Sequence, residues 1–121
     1  MRVEKLSDMT KGWFVGDFSP TLLRTQAAEV AVKVYKEGDN EGWHFHKVAT
    51  EITVIISGTV EMNGVRHHAG DMIVIEPNEG TDFRAVTDAM NVVVKMPGAT
   101  HDKYTEREPG VTDAAVAPKL R

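Results

Sequence analysis

Apolar residues in this chain recur at every second position, and no segment sustains the three-to-four-residue spacing of an amphipathic helix. "EVAVKVYK" sets Val30, Val32 and Val34 on one face of an extended segment and Ala31, Lys33 and Tyr35 on the other. "EITVIIS" is rich in β-branched residues and reads as a strand. "TVEM" and "VRHH" flank Asn63-Gly64, the dipeptide favoured by a two-residue type I′ hairpin. "DMIVIE", "DFRAVT" and "NVVVKM" follow, divided by Gly, Pro, Asn and Asp clusters. Short strands at this spacing predict an all-β antiparallel sandwich or barrel. One short turn of helix is expected in "SPTLLRTQAA", after Pro20.

The 121 residues are expected to form one domain, 1–121, with a barrel core over about 28–97 and a polar tail over 98–121. Phe83, Met72, Ile73, Ile75 and Val92 to Val94 are the expected core. The tail is read as irregular and disordered beyond Pro109, or else as docking on a partner subunit. The chain has no cysteine, which excludes disulfides, thiolate metal sites and cysteine nucleophiles. A net charge of −4 with no basic run offers no footing for nucleic acid. "MRVEKLSDMTKGWF" lacks the apolar region of a signal peptide, and runs such as "MIVI" are too short to span a membrane. The expectation is a soluble, cytoplasmic protein. Sheet edges and apolar faces left by a short barrel make a homodimer the expected assembly.

Two of the five histidines, His44 and His46, stand two positions apart in "GWHFHKVATE". On a strand they project from one face, roughly 6.5–7 Å apart along the backbone, close enough to lean onto one ion. Glu51 follows His46 at an odd spacing, so on an unbroken strand it would face away. If Lys47 to Thr50 turn the chain, Glu51 opens the next strand and can come beside His46. The resulting set of two imidazoles and one carboxylate suits Fe, Mn, Ni or Zn. Taken singly, a strand histidine is more often a surface or hydrogen-bonded residue, and a lone glutamate a solvated charge.

The surrounding residues strengthen the metal reading. Gly38, five residues, His44, Phe45, His46, four residues, Glu51, six residues and Gly58 resemble the first cupin motif in full. Gly70-Asp71, "MIVI" and Pro77 are similar to the second motif. The resemblance covers about 30–97. It implies a double-stranded β-helix, or jelly-roll, barrel with its site inside, and a divalent metal on His44, His46 and Glu51. The second motif usually adds a third histidine four residues after its proline; here that position is Thr81, a poor metal ligand. Asp82, beside it, is expected to face away by alternation. His67, His68 and His101 are not expected at the site. Thr81 marks a vacant fourth position where substrate or water would lie. Lys33 and Tyr35 either line the pocket or stand on the outer sheet.

Three functions follow. The first is a metal-dependent enzyme or metal-binding cupin acting on a small organic molecule, with the metal as Lewis acid or dioxygen centre. The second is a non-catalytic cupin that binds a sugar or another small molecule. The third is a metal-free isomerase of the sugar-nucleotide type, with His44 or His46 as general base. Fold alone does not choose among them.

Overall fold

The structure, a computed structural model, describes residues 1–117. Ten strands follow two short 3-10 turns at Leu6–Asp8 and Thr10–Gly12: β1 (Trp13–Val15), β2 (Glu29–Tyr35), β3 (Asn40–His44), β4 (Thr50–Ser57), β5 (Thr59–Met62), β6 (Val65–His68), β7 (Met72–Ile75), β8 (Glu79–Ala85), β9 (Ala89–Met96) and β10 (Thr112–Asp113). One sheet runs β1-β2-β9-β4-β7. The other runs β10-β8-β5-β6, with β3 also on β8. Except for the parallel β10–β8 pair, the strands are joined antiparallel. Asn63 and Gly64 both take positive φ at the β5–β6 turn, as a type I′ hairpin needs. None of the described helices is long and apolar enough to cross a membrane.

Register fixes what each face of the five-stranded sheet carries. On the inner face one row reads Glu29, Lys95, Glu51, Ile75, and the next Ala31, Val93, Thr53, Ile73. Lys33 then stands opposite Asn91, and Tyr35 opposite Ala89. The inner face therefore carries Glu29, Lys95 and Glu51 in its first row and Lys33 further along, beside a buried cluster of Ile55, Val60, Met62, Phe83 and Ala89 that Ile75 joins from the end of the first row. The outer face holds two aliphatic rows, Val30, Val94, Ile52, Val74 and Val32, Val92, Val54, Met72.

Several expectations change. Ile75, Val93 and Phe83 are buried and Ile73 packs against the core, but Met72 is 77% exposed, and Val92 and Val94 are only half-buried on the outer face. The parity of the alternation is as read; those residues sit on the face away from the barrel interior. No helix forms after Pro20; Leu23 instead bridges to Val15.

Contrary to the disorder expected beyond Pro109, the tail carries β10 at Thr112–Asp113; residues 118–121 lie outside the described part. The tail folds back over its own barrel. Tyr104 bridges to Phe45 and stacks on its ring at 5.4 Å, and β10 pairs with β8. Gly80 makes this possible. A Cβ there would sit 2.1 Å from the Trp43 ring, so only glycine lets the indole lie against β8. Trp43 then donates its indole N–H to Asp113 at 2.9 Å, with the Arg107 guanidinium 4.3 Å over its ring.

Candidate functional site

The chain turns between β3 and β4, so Glu51 starts on a new strand and faces inward despite its odd spacing from His46. Asp102 of the returning tail holds that turn. Its carboxylate accepts the backbone N–H groups of Lys47, Val48 and Ala49 at 2.8–3.0 Å for the closest contact of each. Its carbonyl accepts the Nδ1–H of His46. His44 likewise donates Nδ1–H to the carbonyl of Gly42, at 2.9 Å. A carbonyl only accepts, so in both rings Nδ1 carries a proton, and in the neutral ring Nε2 keeps its lone pair.

His46 Nε2 is buried without a hydrogen-bond partner and lies 3.7 Å from Glu51 Oε1. The His44 and His46 ring centroids are 5.4 Å apart, with the rings at 75°. His46 and Glu51 are thus at the separation of two ligands on one ion, and His44 stands beside them. Among the described residues, no three His, Cys, Asp or Glu groups yet close tightly enough to grip a metal. The donor set nonetheless fits one. Two imidazoles are held in the Nδ1–H tautomer by backbone carbonyls, one bare Nε2 is orphaned in the interior, and a carboxylate faces it. Burial pushes the Glu51 carboxyl up, but the facing His46 ring, then Lys95 and His44, more than offset it and hold it below its usual value. Burial sets His44 below the usual imidazole value, against the Gly42 carbonyl and Glu51, which favours the neutral ring that a metal needs.

Thr81 lies opposite His44 on β8, buried at the cavity wall. Its hydroxyl donates to the carbonyl of Asp82 at 2.8 Å, while Asp82 itself is exposed, as alternation requires. Tyr35 and Lys33 line the cavity rather than the outer sheet. Tyr35 donates to Glu41 at 3.2 Å and packs on Phe83 at 4.5 Å. Burial, then Glu41, raises its phenol well above the ordinary value, so it remains a neutral donor. His67 and His68 lie on β6 away from the cavity. His101, unlike the expectation, does line the cavity, because the tail returns there.

The cavity has a volume of about 450 Å³. Residues that sequence reasoning passed over line it: Trp13, Glu29, Asn91, Lys95, Asp102 and Lys103. Glu29 carried a signal, since it shares the parity of Lys33 and Tyr35 on β2. Asp102 carried none, because its partners lie more than fifty residues away in sequence.

No protein-family model and no curated protein matches the chain. Solved structures do, and they have the cupin fold, a double-stranded β-helix, which is the fold of this chain. It is similar to a protein with a double-stranded β-helix domain from Klebsiella pneumoniae (TM-score 0.60, 20% identity, 80% of this chain and 85% of that one). It is also similar to an RmlC-like cupin from Desulfovibrio desulfuricans (TM-score 0.55, 22% identity, 62% and 76%). A third similarity is to oxalate decarboxylase from Bacillus subtilis (TM-score 0.59, 17% identity, 66% of this chain and 24% of that one).

Proposed function

We propose that this protein is a cytoplasmic cupin that holds one divalent metal ion, Fe, Mn, Ni or Zn, on His44, His46 and Glu51 and acts on a small organic molecule admitted to the barrel. The orphaned Nε2 of His46, facing Glu51 in the interior, is the observation that carries this reading. A buried polar atom without a partner is costly unless a ligand satisfies it. When bound, the metal supplies a Lewis-acid or dioxygen-binding centre with open positions. The chain's own part is to fix both ring tautomers through Gly42 and Asp102, to keep the site inside the barrel, and to present Thr81 and Tyr35 beside it. Oxalate decarboxylase shows that a chain with this fold can be an enzyme. Thr81 favours a second reading: its hydroxyl turns to its own backbone, and a pocket lacking a fourth protein ligand also suits binding of a small molecule without catalysis.

Elemental analysis of purified protein should find about one divalent ion per chain, and His46→Ala and Glu51→Ala should each abolish it. Protein without metal, together with no calorimetric binding of Mn, Fe, Ni or Zn, would overturn the metal reading.

We also propose a homodimer through the outer face of the five-stranded sheet. Its two aliphatic rows contain no charge, so an identical face can cover them without burying one. Val34, Met72 and Val74 are 70%, 77% and 58% exposed on this face.

A further inference from the structure

Four lysines from four separate parts of the fold line the cavity: Lys11 from the turn before β1, Lys33 from β2, Lys95 from β9 and Lys103 from the returning tail. Lys33 and Lys95 belong to different register rows, opposite Asn91 and Glu29, four positions apart along β9. That is roughly 13 Å of strand. Their head groups nevertheless converge on one indole, with the Nζ atoms 5.2 and 4.9 Å from the centroid of Trp13. Among the described residues, none of the four makes an ion pair within 4.0 Å.

Four carboxylates, Glu29, Glu41, Glu51 and Asp102, line the same cavity, so lysines and carboxylates balance in number. Each carboxylate, however, is engaged away from the lysine pair at Trp13 or lies outside ion-pair distance of it. Asp102 is committed to three backbone N–H groups, Glu41 takes the Tyr35 hydroxyl, and Glu51 faces His46. Glu29 flanks Lys95 in its row, but burial raises its carboxyl and so favours its neutral form. Lys33 is held below the usual ammonium value by burial, opposed by Glu41 and reinforced by Lys11, Lys95 and Lys103. Like charges gathered in a partly buried space repel one another, and a guest of opposite sign relieves them. The cavity also offers Asn91, 1% exposed, whose Oδ1 has no partner.

We propose that the cavity binds a small organic anion carrying at least two negative charges, with one anionic group held by Lys33 and Lys95 beside Trp13, flanked by Lys11 and Lys103, and the remainder directed towards His44. The proposal names the ligand class of the pocket assigned above and rests on that pocket being the functional site. Its anion subsite does not depend on the metal. Carboxylate and phosphate groups share the required chemistry, and Asn91 serves a hydroxyl or N–H on the same ligand.

The test is calorimetric titration of the full chain, both as purified and after stripping on a chelating resin, with citrate, glucose 6-phosphate and glucose. At least one of the two anions should bind both forms, and glucose neither. Tighter citrate binding marks the carboxylate source, and tighter glucose 6-phosphate binding the phosphate source. Lys33→Met and Lys95→Met should each weaken the anion at least about 10-fold, the loss of one charge-assisted contact. Lys33→Met should leave metal content unchanged, and Lys36→Met, outside the cavity, should leave anion binding unchanged. Anion binding that survives in a protein shown to take no metal would sink the metal reading and sustain this one. Neither anion binding more tightly than glucose would overturn the proposal. So would anion binding that disappears on stripping and is indifferent to both cavity lysine substitutions.

Discussion

The two faces of the five-stranded sheet are built from the same strands and use them in opposite ways. Towards the barrel, the first row sets Glu29, Lys95 and Glu51 side by side. One residue along, on the outside, the corresponding row is Val30, Val94 and Ile52. A sheet with one solvated face ordinarily places its aliphatic residues inside and its charges outside. Here the charged residues of the inner face border a cavity, beside an apolar cluster around Ile55, Val60 and Phe83. Charges drawn out of water cost stability unless they are paired. Their presence inside is what supports the proposed ligand site on that face. The aliphatic rows outside are the surface we propose for the second copy of the chain.

The largest effect belongs to the outer face. Val74→Glu puts a charge into an aliphatic row of the proposed interface, and the row of the second copy would then have to bury it. The dimer dissociation constant should rise at least about 100-fold, since burying an unpaired charge costs several kcal/mol. Analytical ultracentrifugation reads it directly. Arg84→Glu, at an exposed position of the other sheet, should leave the assembly unchanged. A wild-type protein that sediments as a monomer at all concentrations would break this half of the comparison.

The inner face, by contrast, is supported from outside its own sheet. Asp102 holds the turn that brings Glu51 beside His46 and accepts the His46 Nδ1–H. Asp102→Ala uncaps three backbone N–H groups and should cost about 2 kcal/mol. In a domain of this size that lowers Tm by roughly 8 °C. Metal affinity should fall about 10-fold or more, because the backbone carbonyl that orients His46 moves with the loosened tail. Asp102→Asn keeps acceptor capacity and should restore part of both. Loss of stability with unchanged metal affinity would show that the tail braces the fold without positioning the ligand.

How much of this was legible in the sequence follows the same division. Period-two alternation and Asn63-Gly64 sufficed for the strands and the hairpin, because both are local properties of the backbone. The glycines and the His44, His46 and Glu51 spacing located the candidate site. The odd offset of Glu51 was resolved once a turn interrupted the strand. Which side of β2 faces inward was not legible: Ala31, Lys33 and Tyr35 look no more internal than three valines, and only closure against β8 makes them so. The role of the tail was hidden for a related reason. Asp102 and Asp113 look solvated until the fold brings the 47–49 turn and Trp43 against them.

Glu29 gives the smallest effect and the sharpest test of what the inner charges are for. It is 8% exposed, and burial raises its carboxyl above the usual value despite Lys95. The folded chain therefore holds this proton at pH values where the unfolded chain has lost it. By linkage, the contribution of Glu29 is most favourable below the unfolded carboxylate value and declines as pH rises through the folded one. At pH 7 its ionisation weighs against folding. Glu29→Gln should thus melt above the wild type at pH 7, and the difference should shrink as the pH falls into the ordinary carboxylate range. Val30→Ala, one residue along on the outer face, should lower Tm by an amount that does not vary with pH. Thermal melts from pH 4 to 8 compare them. If Glu29→Gln is less stable than the wild type at pH 7, Glu29 and Lys95 form a stabilising pair. The inner row would then be a structural network rather than charge held ready for a ligand.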